Sequence, residues 1–195
     1  MVGSLEQKKK KKSAVKEVVS WLAYLIIFAA VAFFLIHYVG ERTVVSGDSM
    51  LPTLQNGDNL IVDKLSYRFR DPKRFEIVVF PFRYQEDTYY IKRIIGLPGE
   101  TVQIHDGNIY INGKQLKEDY GRAAIRNPGL ASEAVTLGED EYFVLGDNRN
   151  NSADSREPSV GNIQKKDILG RAWLRIWPFD QFGLLVHHTA NNGTT

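Results

Sequence analysis

Between Val18 and Val39 the chain carries no charged side chain, and that run limits what the rest can be. Its 22 residues, VVSWLAYLIIFAAVAFFLIHYV, measure about 33 Å as a helix rising 1.5 Å per residue. A bilayer's hydrocarbon core is about 30 Å thick, so the length predicts a transmembrane helix over 18–39. Trp21, Tyr24 and Tyr38 lie near its ends, where amphipathic rings favour the headgroup region. Lys8, Lys9, Lys10, Lys11, Lys12 and Lys16 stand before it against Glu6 and Glu17, a balance of +4 over 1–17. The positive-inside bias then makes 1–17 a basic cytoplasmic tail and places everything after Gly40 outside the cytoplasm. Setting topology is role enough for the lysines. A cleaved secretory signal has a shorter apolar core and small residues after it, whereas this run ends in FFLIHYV. A buried core helix would carry a polar face. His37 reads as an interfacial residue near the outer leaflet.

Beyond the run the composition is that of an ordinary globular domain. The whole chain is 195 residues with a net charge of +2, so the part after the tail is mildly acidic at −2. A nucleic-acid binder should show a basic footprint there, so no nucleic-acid partner is expected. There is no cysteine, which excludes a disulfide framework, a thiol nucleophile and cysteine-based metal sites. Strand signals recur over 40–186. Leu60–Val62 follows the turn triplet Asn56-Gly57-Asp58, and Ile77–Phe82 is apolar throughout, as in a strand buried on both faces. Tyr89–Ile95 is rich in aromatic and β-branched residues. Segment 101–116 holds three short strands joined by Asp106-Gly107 and Asn112-Gly113, both tight-turn dipeptides. Glu141–Leu145 and Ile168–Trp177 add two more strands, 117–139 reads as a polar surface excursion, and 187–195 as a polar tail. The expected architecture is a mainly β domain over 40–186, with partial barrel character.

Three segments concentrate chemistry. In Ser46-Gly47-Asp48-Ser49-Met50-Leu51-Pro52-Thr53-Leu54, Ser49 stands between a flexible Gly47 and a stiffening Pro52, which suits either a plain turn or a nucleophile. The Gly-x-Ser-x-Gly elbow is absent, because position 51 is Leu. In Tyr89–Glu100, a strand puts Lys92 on the face of Tyr90 and Ile94. Lys92 is there either solvated beside Arg93 or partly desolvated, and desolvation would lower its pKa towards that of a base. In Gly146–Arg156 the polar residues lack the central Gly and terminal Glu of a calcium loop, and read instead as a loop locked by Asp/Arg pairs. The histidines, His37, His105, His187 and His188, all lie outside these segments, which leaves a Ser/Lys pair as the remaining nucleophile–base option.

Taken in order, the basic N-terminus, the span, Ser-Gly-Asp-Ser-Met-Leu-Pro-Thr-Leu, Tyr-Ile-Lys-Arg-Ile-Ile-Gly-Leu-Pro-Gly-Glu and Gly-Asp-Asn-Arg-Asn-Asn-Ser-Ala-Asp-Ser-Arg resemble the bacterial type I signal peptidases. The likeness runs from the span to about Phe179, and the short single-span layout looks like the Gram-positive branch. It implies a mainly β catalytic domain of the kind shared with SOS-repressor autoproteases. By resemblance Ser49 is the nucleophile, with its backbone N–H in the oxyanion hole, and Lys92 is the general base. Ser152 orients Lys92, while Asp154 and Arg156 brace the loop beneath. Neither a cofactor nor a metal is implied. Substrates would be signal peptides of secreted preproteins, cut after Ala-x-Ala-like sites at the plasma membrane. The lipid bilayer is a partner, and the secretion translocon would be close by. Two departures stand out. Gly47 occupies the position where longer members carry an oxyanion-holding hydroxyl, with Ser46 one residue too early to replace it. The usual Arg-Gly-Asp before the apolar strand is here Arg74-Phe75-Glu76. A non-catalytic peptide-binding β domain would lack the Ser49, Lys92 and Ser152 set; a repressor-type autoprotease would have a helix-turn-helix in place of the span.

Overall fold

The computed structural model describes residues 2–34, 40–121 and 123–185, without the side chains of 2–15, Ala32 and Phe34. The chain divides into two compact units, Met1–Gly40 and Glu41–Thr195.

The first unit is the helix α1, Val2–Phe34. It begins well before the predicted span and takes in the lysine run, whose Lys, Gln and Ala residues are good helix formers. Trp21, Leu25, Phe28 and Phe33 on it are exposed. Among the described residues no helix is long and apolar enough to cross a membrane. The end of the predicted span, residues 35–39 with His37 and Tyr38, lies outside the described residues, as does the whole predicted tail, 187–195, with His187 and His188.

The second unit is mainly β. Its larger sheet contains β1 (Gly40–Val44), β2 (Asn59–Asp63), β3 (Ile77–Pro81) and β4 (Tyr89–Gly96). The smaller sheet is formed by β5 (Thr101–His105), β6 (Asn108–Ile111), β7 (Lys114–Gln115) and β8 (Val135–Thr136). The chain then returns to the larger sheet with β9 (Glu141–Leu145), β10 (Ile163–Gln164), β11 (Gly170–Trp177) and β12 (Gly183–Leu184). The larger sheet runs β1-β2-β11-β3-β4-β9-β10, with β12 on β11, and the smaller runs β7-β6-β5-β8. Among the described residues no pairing joins β10 back to β1, so the sheet does not close as a barrel.

The turn dipeptides behave as their chemistry demands. Asp106, Gly107, Asn112 and Gly113 all have positive φ, the geometry of two-residue hairpins, and they set the β5–β6–β7 meander. The first four residues of β3 are buried, and so are the last five of β4, as expected of strands covered on both faces. Around the smaller sheet, Ile95, Val102, Ile104 and Phe143 form one core. The segment 117–139 is less peripheral than predicted: Ile125, Ala131 and Leu137 lie in that same core. A second core joins Met50 and Leu54 to Leu60, Ile77 and Ala172, with Ile91 against it. That core ties the segment after β1 to the middle of the larger sheet.

Candidate active site

β4 sits between β3 and β9, with Val78 opposite Lys92 and Leu145 opposite Arg93. The polar loop 146–156 leaves the end of β9, so topology alone brings it beside Lys92. The Ser49 turn comes from the other direction, between β1 and β2. Its base is closed by Val45 N–H to Asp58 O at 2.8 Å and Gly57 N–H to Val45 O at 2.9 Å. Met50 and Leu54 bury themselves in the core below, which fixes the height of Ser49. The two loops then join: Asn148 N–H donates to Ser49 O at 2.9 Å, and Asn148 Nδ2 to Asp48 O at 3.0 Å. Gly146 makes the approach feasible, because a Cβ there would stand 2.5 Å from Ser49 O and 2.2 Å from Ser152 Oγ.

Lys92 is 4% exposed. Its Nζ donates to Ser49 Oγ at 2.9 Å and to Ile91 O at 3.0 Å, and lies 5.0 Å from the centre of the Tyr90 ring. Burial pushes the amine down to about 8, although Asp154 and Asp147 pull the other way. The solvated-lysine alternative therefore does not describe this residue. The Ser49 N–H has no acceptor among the described residues, and Gly47, with a φ of 91°, gives its N–H to Asn56 Oδ1 at 3.0 Å. A cleft of about 390 Å³ opens at the pair, lined by Val44, Ser46, Ser49, Val79, Lys92 and Ser152 among others.

Ser152 shares that cleft, but its buried Oγ has no hydrogen-bond partner, so no bond to Lys92 is formed here. Asp154 is fully buried and accepts from Gly146 N–H at 3.1 Å. It is bound twice by Arg156, from Nε at 2.8 Å and from Nη2 at 2.8 Å. Arg156 also reaches Arg149 O at 2.6 Å and Asn127 O at 3.1 Å, stitching the loop to the 127–130 segment. His105 stacks on Tyr110 at 3.8 Å between ring centres, away from this cleft. Among the described residues no three His, Asp or Glu side chains gather as metal ligands would.

Sequence reasoning missed the group beneath the pair. Arg93 is fully buried on the opposite face of β4. Its Nε donates to Asp147 Oδ1 at 2.8 Å, its Nη2 to Asp147 Oδ2 at 2.6 Å and its Nη1 to Phe75 O at 2.8 Å. Tyr120 lies under its guanidinium at 3.6 Å. The Thr53 hydroxyl donates to Asp147 Oδ2 at 2.5 Å. One buried ion pair thus links all three sequence segments. A cation on a strand buried on both faces requires a partner, but that burial of β4 emerges only in the assembled sheet. Phe75, one of the noted departures, adopts a φ of 70°, a conformation suited to glycine, while its ring is buried 5.1 Å from that of Tyr120.

The family model described as signal peptidase, peptidase S26, matches residues 18–177. A probable signal peptidase I-2 of Synechocystis sp. is 46% identical over 155 residues, 76% of this chain and 68% of that protein. Signal peptidase I P of Bacillus subtilis subsp. natto is 35% identical over 183 residues, 90% of this chain and 96% of the relative. A signal peptidase I of Enterococcus faecalis V583 with a solved structure is 36% identical, covering 52% of this chain and 97% of that one at a TM-score of 0.44. The chain belongs to the signal peptidase I family, peptidase S26.

Proposed function

We propose that this signal peptidase cuts preproteins with a Ser49–Lys92 dyad through an acyl-enzyme. The observation that carries the reading is the 2.9 Å separation of Lys92 Nζ from Ser49 Oγ, with the amine buried enough to lose its proton near pH 8. Neutral Lys92 takes the Ser49 proton as the hydroxyl attacks the scissile carbonyl. The oxyanion forms against the unoccupied Ser49 N–H. The ammonium of Lys92 gives its proton to the leaving amine, which departs with the mature protein. Lys92, neutral again, activates the water that frees the signal peptide from Ser49. Ser152 aims the amine in the substrate-bound state, where its unpartnered hydroxyl acquires a bond, while Asp154 and Arg156 keep its loop in place. The cleft beside Ser49 and Lys92 is walled in part by Val44, Val79 and Ala153, which suits small side chains before the cut, as in Ala-x-Ala.

The same reading makes the enzyme a single-pass plasma-membrane protein, its span over 18–39, tail 1–17 in the cytoplasm and catalytic unit outside. Two observations support a bilayer partner. The uncharged run is long enough to span. Trp177, Phe179, Phe182 and Leu184, close together along the chain of the catalytic unit, are all exposed, with the Trp177 and Phe179 rings in contact at 4.8 Å, and exposed apolar side chains of this kind suit an interaction surface. Anchoring confines enzyme and tethered preprotein to one surface and raises their effective concentration. It would also keep the enzyme near the translocon that delivers the preprotein.

The test is to incubate the detergent-solubilised full chain with a preprotein and to sequence the new N-terminus. A single cut after an Ala-x-Ala-like site is expected; no cut, or cuts elsewhere, would refute the proposed specificity. For topology, protease added to intact cells should digest residues beyond Gly40 and spare the tail. Protection of the C-terminal unit until lysis would refute the orientation.

A further inference from the structure

The turn bearing Ser49 is gripped at its far end by a residue outside all three motif segments. Arg175 lies on β11 and is buried. Its Nη2 donates to Thr53 O at 2.5 Å, and its Nη1 donates to Gln181 Oε1. Its Nε faces Asp58 Oδ2 at 3.4 Å, and that same oxygen accepts Gln55 N–H at 3.0 Å. Arg175 therefore holds the turn directly at Thr53 and, through Asp58, at Gln55.

Thr53 is clamped from both sides. Its carbonyl is held by Arg175 and its hydroxyl by Asp147, the acid that binds Arg93. From Thr53 back to Ser49 the chain forms a compact turn, with Leu51 N–H to Asp48 O at 3.2 Å and Leu54 N–H to Met50 O at 2.9 Å. With Met50 and Leu54 packed underneath, a shift at Thr53 is carried to Ser49 rather than absorbed between them. Reactive geometry tolerates little of this, since a misplacement of about 1 Å can slow a reaction by about 100-fold.

We infer that Arg175 is a positioning residue for the nucleophile, fixing the distance from Ser49 Oγ to Lys92 Nζ through Thr53 and Asp58. The inference rests on the Ser49–Lys92 reading. A purely structural role would lower stability without a selective effect on turnover. A positioning role acts on the chemical step while leaving the substrate cleft and the burial of Lys92 intact.

The experiment compares kcat, KM and their pH dependence for the full chain in detergent, with a preprotein substrate and near-ultraviolet circular dichroism as the folding control. Arg175→Met should lower kcat by about 10- to 100-fold, keep KM within about twofold and leave the acid limb where it is. Arg175→Lys, which keeps a cation beside Asp58 and the Thr53 carbonyl, should recover most of the loss. Asp58→Asn, which weakens the ion pair but keeps the arginine, should fall between them. If Arg175→Met fails to fold, a selective kcat loss in folded Asp58→Asn, with Arg175→Lys close to wild type, supports the same conclusion. Normal kcat in folded Arg175→Met, a loss confined to KM, or an Arg175→Lys no better than Arg175→Met would overturn the inference. If Asp58→Asn alone is available and its kcat is normal, the inference also fails. Ser49→Ala and Lys92→Ala are run alongside: cleavage by either refutes the dyad, whereas two inactive variants beside a normal Arg175→Met refute only the role of Arg175.

Discussion

Replacing Lys92 with Met should destroy activity and stabilise the protein at neutral pH. The folded amine titrates at about 8, while an unperturbed lysine titrates near 10.4. That difference means the fold prefers the neutral amine by about 3 kcal/mol. Because the folded value is the lower one, the unfolded chain binds the additional proton between the two values, and stability rises with pH across that window. Below about pH 8 the full penalty of burying the ammonium is present. Met removes it, but also forfeits the bonds to Ser49 Oγ and Ile91 O, worth about 1 kcal/mol each. The expected net gain at pH 7 is about 1–2 kcal/mol, and it should vanish or reverse above pH 10. Urea unfolding of wild type and Lys92→Met at both pH values measures it. In wild type the same titration should raise kcat/KM by about tenfold from pH 7 to pH 9, as the neutral fraction climbs from about one-tenth to about nine-tenths. An acid limb near 6.5 that His105→Ala removes, or a Lys92→Met less stable than wild type at pH 7, would refute the reasoning.

Gly146→Ala forces a methyl against Ser49 O and Ser152 Oγ, so it should cost about 1–3 kcal/mol of stability and about 100-fold in kcat, read by urea unfolding and preprotein cleavage. Phe75→Gly relieves a left-handed backbone worth about 1–2 kcal/mol but deletes a buried ring worth about 3–5, so a net loss of about 2 kcal/mol is expected by urea unfolding. Ser152→Ala removes a hydroxyl that has no partner in the free enzyme, so melting should not suffer, while kcat should fall if it aims Lys92 during turnover.

Legibility in the sequence followed local chemistry. Asp106-Gly107 and Asn112-Gly113 were readable because a two-residue hairpin requires positive φ at both positions. Ile77–Pro81 was readable because nothing in it has to face water. By contrast β8, β10 and β12 are two-residue strands defined by distant partners, and no periodicity can develop in so few residues. Gly40–Val44 was hidden for a different reason, its polar composition GERTV. Ile125, Ala131 and Leu137 were lost in a polar segment because isolated apolar residues show no pattern until the smaller sheet collects them. At the site, residue chemistry left a Ser/Lys pair as the remaining nucleophile–base option; the family likeness gave Ser49 and Lys92 their roles. The Arg93–Asp147–Thr53 linkage was not seen because side chains 40 to 94 positions apart meet only after β4, the 146–156 loop and the Ser49 turn have packed.

The dyad itself is tested most directly by steady-state kinetics on four full-length proteins: wild type, Ser49→Ala, Lys92→Ala and the double variant, each assayed on one preprotein with folding verified by circular dichroism. Groups that act as a unit are not additive. Each single variant should therefore lose essentially all cleavage, and the double should be no worse than either. Substantial turnover by folded Lys92→Ala, or a double variant that loses the product of the two single effects, would contradict the dyad.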